Sequence, residues 1–320
     1  MREVGYLVRR LPAAFATILV AATLNFGLFR IAPGNPAEQF SHVPGAGPAL
    51  QASIKREFGL DRPVLTQYVL YLKGLATGHL GVSFQNRRPV TSNIADQLRN
   101  TIPMVLTGTV FAIVLGSFLG VLAAVRRRTP TDVGAVSLSM LLYSLPAQWV
   151  GLMLVLLLGG VFPSNGIHDP YLIGASRWQL VVDEARHIAL PALAFALSLF
   201  GQFTLIARNS MLEVLGADYM LTARAKGLSR WGIVRRHGLR NAALPTVTLI
   251  ALSLGYVLGG AILIEVVFSW PGIGFGTFQA VRARDYPMLQ AQFLALAVGV
   301  VLCNLFADIV VRRLDPRVRT

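Results

Sequence analysis

Residues 218–245 read DYMLTARAKGLSRWGIVRRHGLRNAALP and form a polar, basic island in a chain that is otherwise mostly apolar. Asp218 stands where a side chain would cap a short helix over Tyr219–Lys226. Gly227 suits the left-handed residue that commonly ends such a helix. The first half of the island is therefore predicted to be a helix of about two turns with a glycine stop.

The second half of the island predicts another short helix. Ser229 is placed to cap it, and its body would run through Trp231, Val234 and His237. Pro245 is then expected to begin the next apolar run. The island thus separates two long apolar stretches.

One face of the first helix has the shape of a docking surface. Tyr219, Ala223 and Lys226 share that face at i, i+4 and i+7, and the small Ala223 side chain keeps it thin. A partner protein's groove could accept such a helix. The alternative is a solvated loop whose basic residues only set membrane topology. The residues alone leave both interpretations open.

The composition indicates a polytopic membrane protein. Of 320 residues, 54% are hydrophobic and 14% charged, and the mean hydropathy is +0.58. A net charge of +14 would suggest nucleic-acid binding in a soluble chain, but here the bases cluster between apolar runs. The single cysteine, Cys303, rules out an intrachain disulfide, and the histidines show no metal-ligand spacing.

Six apolar runs predict an all-α chain. Each is long enough to cross a hydrocarbon core of about 30 Å. The predicted spans are 11–29, 102–125, 133–161, 188–207, 246–268 and 289–311. A cleaved signal peptide is the alternative for the first run, although Arg30 makes a poor cleavage site. Gly116 and Gly120 provide a small face for close helix packing, as do Gly255 and Gly259, and Pro146 and Pro191 are expected to mark kinks or a helix start.

Two connections stand out from the others. Residues 30–101 form a long polar segment with predicted helical patches at Pro48–Phe58 and Pro63–Leu75 and an amphipathic lead-in at Pro89–Leu98. Residues 209–245 contain the basic island. Lysine and arginine concentrate at the N-terminus, at Arg126–Arg128, in the island and in the C-terminal tail. The positive-inside rule then makes both termini and the island cytoplasmic, and residues 30–101 extracytoplasmic.

Catalytic motifs are missing from the sequence. No Gly-Lys pair occurs, so the chain has no Walker A phosphate loop, and neither His-x-x-x-His nor Gly-x-Ser-x-Gly is found. Acidic residues in or beside the spans are few, chiefly Glu265 and Asp308. If transport is driven by ATP, hydrolysis must therefore occur on other subunits.

The island resembles a known family. Thr222 to Leu228, TARAKGL, followed by Leu244-Pro245, is similar to the EAA loop of permease subunits in ABC importers, and most closely to its form in the dipeptide/oligopeptide/nickel permeases. Thr222 stands where the wider consensus has glutamate. The resemblance implies that this helix couples to an ATPase subunit. The residues so implied are Asp218, Tyr219, Thr222, Ala223, Arg224, Ala225, Lys226, Gly227 and Leu228.

The resemblance extends over nearly the whole chain. The run from Glu265 through Trp270-Pro271-Gly272 is similar to the family's external turn, and Glu265, Trp270, Pro271 and Gly272 are candidates for an external gate. Arg284-Asp285-Tyr286-Pro287 and Leu314-Asp315-Pro316 continue the match. His79 stands where the family usually has aspartate.

The family implies a type I ABC importer permease in the cell membrane that is not itself an enzyme. A second homologous permease would complete the pore, two cytoplasmic ATPase subunits would hold ATP and magnesium, and an extracytoplasmic binding protein would deliver substrate. This chain would carry no cofactor or metal. Di- and oligopeptides are the expected cargo, with nickel complexes, glutathione or another small solute as alternatives. An ion-coupled secondary transporter and a membrane enzyme are the rival classes, but neither clear midplane carboxylates nor a catalytic cluster supports them.

Overall fold

A computed structural model describes residues 2–31, 62–220 and 230–314. These residues are mostly helical, in agreement with the all-α prediction. Within them β-type pairing is limited to an isolated antiparallel bridge between Val82 and Pro89. The helices are α1 (Arg2–Ile31), α2 (Val64–Thr77), α3 (Val90–Val125), α4 (Pro130–Ser144), α5 (Ala147–Leu158), α6 (Arg177–Gly216), α7 (Leu239–Val267), α8 (Ile273–Ala283) and α9 (Tyr286–Leu314).

Length and apolar composition identify several membrane-crossing helices. Among the described residues, the segments Arg10–Phe29, Val90–Val125, Arg177–Gly216 and Tyr286–Val310 are each long and apolar enough. The pair α4 and α5 meets the same test if its two helices are taken together. The six-span count and its boundaries remain a prediction, with the fifth run expected along α7.

The third predicted span is two helices in the structure. α4 and α5 meet at an angle of 105° instead of forming one rod over 133–161. Leu145, the residue between Ser144 and Pro146, has an extended backbone with ψ of 137°. A proline disfavours the helical conformation in the residue before it, and this explains why the expected kink becomes a sharp corner.

Other helices are longer than the apolar runs that predicted them. α3 joins the amphipathic lead-in to the second span in one helix of 36 residues, and Pro103 does not interrupt it. α6 has 40 residues, about 60 Å at 1.5 Å per residue, so it extends beyond the predicted span 188–207. A capping box between Ser176 and Gln179 begins α6 upstream of the apolar run. The turns at both ends of α6 are polar, so they lack the apolar signal on which the predicted boundaries of the span 188–207 were based.

The chain divides into two compact units. The first comprises residues 1–97 and 276–301, and the second comprises residues 98–275 and 302–320. In the first unit, Asn25 of α1 donates to the Gln290 carbonyl at 2.8 Å and to the Tyr71 hydroxyl at 3.2 Å. Phe26 packs edge-on against Tyr68 with ring centroids 5.3 Å apart. These contacts join α1 to α2 and to the start of α9.

The second unit is held by close helix packing. Its main apolar cluster combines residues of α3, α6 and α7 with Trp270 of the turn after α7; its members are Met104, Val105, Leu190, Ala194, Phe195, Ala261, Ile264, Phe268 and Trp270. A Cβ on Gly120 of α3 would overlap the Thr204 carbonyl of α6. The predicted small face at Gly116 and Gly120 is thus confirmed, whereas the side-chain environment of Gly255 and Gly259 lies outside the described part of the chain.

Candidate functional site

The predicted coupling segment is described only at its two flanks. Thr222, Ala223, Arg224, Ala225, Lys226, Gly227 and Leu228 lie outside the described residues, as does Ser229. The chain is described up to Met220 and again from Arg230. The described part of the site therefore consists of the residues that lead up to Met220 and those that follow from Arg230.

The helical backbone on the entry side begins one residue earlier than predicted. Residues 218–220 are helical, and Ala217, with ψ of 148°, is the extended residue that separates them from α6. The Met220 N–H donates to the Ala217 carbonyl at 2.9 Å. Asp218 thus lies in the first turn and is not the cap, since the break after α6 falls at Ala217. A carboxylate in a first turn still stabilises a helix electrostatically.

Both flanks of the segment pack on the last turns of α6. Met220 on the entry side and Ile233 on the exit side are buried together, and Val214 and Leu215 of α6 pack against them. One turn earlier, Met211 of α6 is buried in a second cluster with Ala124, Val125, Val234 and Ala242. The end of α6 therefore forms a seat that fixes both ends of the coupling segment; this seat is defined as Met211, Val214 and Leu215.

Aromatic side chains remain exposed beside the seat. Tyr219 is 48% exposed and Trp231 is 49% exposed. The Tyr219 hydroxyl accepts from the Asn241 amide at 3.1 Å, which orients the ring. Tyr219 was predicted as part of the docking face, whereas Trp231 was assigned only to a helix body. An exposed tryptophan within a basic polar stretch was the available signal, because large aromatic residues are enriched where proteins bind each other.

The exit side differs from the predicted pair of short helices. Arg230–Ile233 is a four-residue turn of α-helix that passes into a π-helical turn over Val234–Gly238 and then directly into α7. Pro245 lies inside α7, which begins at Leu239, upstream of the predicted apolar run. Gly238 faces Met211, since a Cβ there would lie 3.2 Å from the methionine sulfur. The expanded turn brings this small residue against the seat.

The predicted gate residues form a compact, buried structure at the other end of α7. Glu265 is fully buried. Its carboxylate accepts from the Thr101 hydroxyl at 2.6 Å, from the Gly274 N–H at 2.7 Å and from the Phe275 N–H at 3.0 Å. Thr101 in turn accepts from the Ile273 N–H at 2.9 Å. Glu265 and Thr101 thus satisfy the free N–H groups that begin α8.

The turn itself is tied to α3 by reciprocal hydrogen bonds. Trp270 is fully buried, and its indole N–H donates to the Asn100 carbonyl at 3.0 Å. The Asn100 amide donates back to the Pro271 carbonyl at 2.9 Å. A Cβ on Gly272 would overlap Glu265 and Thr101. The structure therefore brings all four predicted gate residues together with Asn100 and Thr101, which the sequence analysis did not single out; we call these six residues the α7–α8 latch.

Asp285 and Asp132 are also buried carboxylates whose structural roles were missed from the sequence. In the first unit, Asp285 is fully buried; it accepts from the Ser83 hydroxyl at 2.5 Å and the Gln85 N–H at 3.1 Å. In the second unit, Asp132 at the start of α4 pairs with Arg208 of α6. Arg284-Asp285 was noted only as part of a family match. No local sequence pattern identifies the partner of Asp285 or of Asp132, because Ser83 and Arg208 are far from them in the sequence.

Within the described ranges, no group of three or more histidine, cysteine, aspartate or glutamate side chains is arranged to hold a metal ion.

Comparisons with known protein families agree with this architecture. Residues 116–320 match the model of the binding-protein-dependent transport system inner membrane component. Residues 3–105 match the N-terminal model of the corresponding membrane components. The chain therefore belongs to the family of binding-protein-dependent transport system inner-membrane components, which are the permease subunits of ABC importers.

Characterised relatives cover the full length of the chain. It is 36% identical to the dipeptide transport system permease protein DppB of Escherichia coli over 333 residues, with 98% of each chain covered. It is 34% identical to the glutathione transport system permease protein GsiC of Salmonella choleraesuis over 319 residues, covering 98% of this chain and 99% of the relative. A chain of the inward-facing MetNI methionine ABC transporter matches with a TM-score of 0.53 at 18% identity, covering 69% of this chain and 96% of that chain. At that identity the last match supports the fold alone, and the fold is that of a type I ABC importer permease.

Proposed function

We propose that this chain is a pore-forming permease that imports di- and oligopeptides, with ATP hydrolysis carried out by separate subunits docked on the segment 218–228. The observation that carries the proposal is the seat. Both flanks of the segment, Met220 and Ile233, are buried against the last turns of α6. Tyr219 and Trp231 remain exposed beside it. A segment held firmly at both flanks can pass a displacement of a docked partner into a membrane helix.

The mechanism is alternating access. ATP binding closes the ATPase pair, draws the coupling segments of two permeases together and opens the spans outward; hydrolysis reverses the movement. This chain's contribution is mechanical, since α6 continues from the seat into the membrane. ATP and magnesium stay on the ATPase subunits.

The partners are a second homologous permease, two ATPases and an extracytoplasmic binding protein. Both termini of the chain are cytoplasmic, and the segment 30–101 faces the binding protein. The asymmetry of lysine and arginine supports this orientation.

Peptides are the favoured cargo because the relative with 36% identity is a dipeptide permease. Glutathione is a second candidate, supported by the 34% identity to a glutathione permease. Both are small peptide-like solutes with a free carboxylate, so the alternatives share their chemistry.

The α7–α8 latch is proposed to border the external gate. A buried carboxylate bound to the start of α8 holds the turn after α7 rigid. A rigid turn at the outer end of a moving helix can transmit closure without changing shape itself.

Reconstitution of the four-component complex in proteoliposomes tests the proposed function. We expect labelled dipeptide to accumulate only with ATP and loaded binding protein, and to a greater extent than glutathione. Accumulation that needs an ion gradient and no ATP would instead identify a secondary transporter. Preferential accumulation of glutathione would retain the importer and change its cargo.

A further inference from the structure

A buried ion pair joins the start of α4 to the C-terminal part of α6, near the predicted coupling segment. Arg208 Nε lies 2.6 Å from Asp132 Oδ1, and Arg208 Nη2 lies 3.0 Å from Asp132 Oδ2. The aspartate side chain is 6% exposed and the arginine side chain 20% exposed. The Arg128 N–H also donates to Asp132 Oδ2, at 2.9 Å. All these residues belong to the second unit.

The geometry makes this pair a rigid connection. Two parallel N–H···O bonds fix the guanidinium plane against the carboxylate, so the contact sets an orientation as well as a distance. Because the carboxylate is buried, loss of either partner leaves a charge without compensation. The pair thus holds the start of α4 to one position along α6.

The position of Arg208 on α6 relates the pair to the coupling segment. Arg208 is one helical turn before Met211, the first residue of the seat, and eight residues before Gly216, where α6 ends. At 1.5 Å per residue, the pair is about 12 Å from that end. A force applied through the seat reaches Arg208 before it reaches the apolar part of α6.

Close backbone contacts extend the connection between α4 and α6 further along both helices. A Cβ on Gly201 of α6 would overlap the Ser139 carbonyl of α4, as a Cβ on Gly120 of α3 would overlap Thr204. Backbones packed this closely leave little space for sliding. The pair lies at the end of this packing next to the seat, where the two helices would otherwise be free to separate.

We propose that Asp132 and Arg208 are positioning residues for energy coupling: the pair holds α4 to α6 beside the seat, so that movement of the docked segment displaces both helices together. The proposal rests on the function proposed above, since it needs an ATPase to move the segment. Without the pair, the end of α6 would yield under load, and part of the movement would be lost before it reached the spans.

The test measures peptide taken up per ATP hydrolysed in the reconstituted complex. Asp132→Asn and Arg208→Lys both break the bidentate geometry, and Arg208→Lys keeps the charge. We expect each to lower uptake per ATP about tenfold while ATP hydrolysis continues, because the buried connection is lost. The exposed pair of Arg88 and Asp96, 3.0 Å apart with side chains 56% and 61% exposed, provides the matched control. Asp96→Asn should leave the ratio unchanged.

Each outcome decides the proposal. An unchanged ratio in assembled Asp132→Asn complexes would overturn it. If Asp132→Asn does not assemble, Arg208→Lys decides, and a wild-type ratio there overturns the proposal. Equal losses in Asp132→Asn and Asp96→Asn would also overturn it, because burial and position would then be irrelevant. If the wild-type complex takes up no peptide, the proposed function fails instead, and binding-protein stimulation of ATP hydrolysis in the same variants then tests the coupling role.

Discussion

Glu265 shows how one side chain can organise a turn in a membrane protein. A buried carboxylate is costly unless donors surround it, and here Thr101 and two N–H groups at the start of α8 supply them. The same carboxylate satisfies groups at the start of α8 that would otherwise lack partners. Glu265 and α8 therefore stabilise each other, and Gly272 is required because any larger residue would overlap the carboxylate.

Thr101→Val should destabilise the latch. The change removes the hydroxyl donor of Glu265 and the acceptor of the Ile273 N–H. Unsatisfied buried groups cost about 1–3 kcal/mol each, so thermal unfolding of the purified complex should occur at a lower temperature.

Thr109→Val is the matched control for the latch. The Thr109 hydroxyl is also buried on α3, and no partner for it is found in the described part of the chain, so its loss should be neutral or stabilising. Equal effects of the two substitutions would show that the latch contributes nothing specific.

Glu265→Gln should keep the complex assembled yet alter basal ATP hydrolysis or uptake, and wild-type behaviour in both assays would rule out the gate.

At the scale of elements, α6 is the helix that supports the flanks of the predicted coupling segment. Its last turns form the seat, its Arg208 pairs with α4, and its backbone meets α3 and α4 at small residues. On the exit side, the π-helical turn Val234–Gly238 packs against Met211 of the seat. The flanks of the predicted coupling segment are therefore supported by α6 and by the start of α7.

Ala223→Trp should disrupt docking of the ATPase. A bulky side chain on the thin face overpacks the interface, at a cost of about 1–3 kcal/mol, or roughly ten- to a hundredfold in affinity. The permease should remain in the membrane, while ATP hydrolysis is uncoupled from uptake or the ATPase is lost on purification. Ser229→Trp, just beyond the predicted glycine stop, should do less. Stoichiometric ATPase with normal stimulated hydrolysis and uptake in the Ala223→Trp complex would contradict the coupling assignment.

At the scale of the whole molecule, charge distribution predicts orientation. The net charge of +14 is concentrated in a few connections instead of being spread over the chain. Basic residues resist translocation, so the clusters at the N-terminus, at 126–128, in the island and at the C-terminus are expected on one side.

Cysteine labelling in cells tests that orientation. Cysteines replacing Gly45 and Ser176 should react with an impermeant maleimide added outside, whereas one replacing Ser229 should react only after permeabilisation. The native Cys303 must be replaced first, so that the background is silent. External labelling at Ser229 would reverse the topology and remove the basis for ATPase docking.

Periodicity and composition were sufficient for the coarse properties of this protein. Apolar runs predicted an all-α membrane chain. The TARAKGL motif and, separately, the turn from Glu265 to Gly272 indicated the permease family, since each of these signals resides in neighbouring residues. The four gate candidates could be grouped from the sequence because they lie within eight residues of each other, from Glu265 to Gly272. The continuity of the lead-in with the second span in α3, and both ends of α6, were not predicted, since polar turns can extend a helix when other helices pack against them.

Tertiary structure was needed wherever distant residues meet. Asp132 and Arg208 are 76 positions apart, and Thr101 and Glu265 are 164 positions apart. Each residue alone could equally be a solvated charge or an isolated hydroxyl, and no local period distinguishes these states. Burial decides between them, because a charge or hydroxyl removed from water must find its partner within the fold. Which partner it finds depends on how the helices pack together.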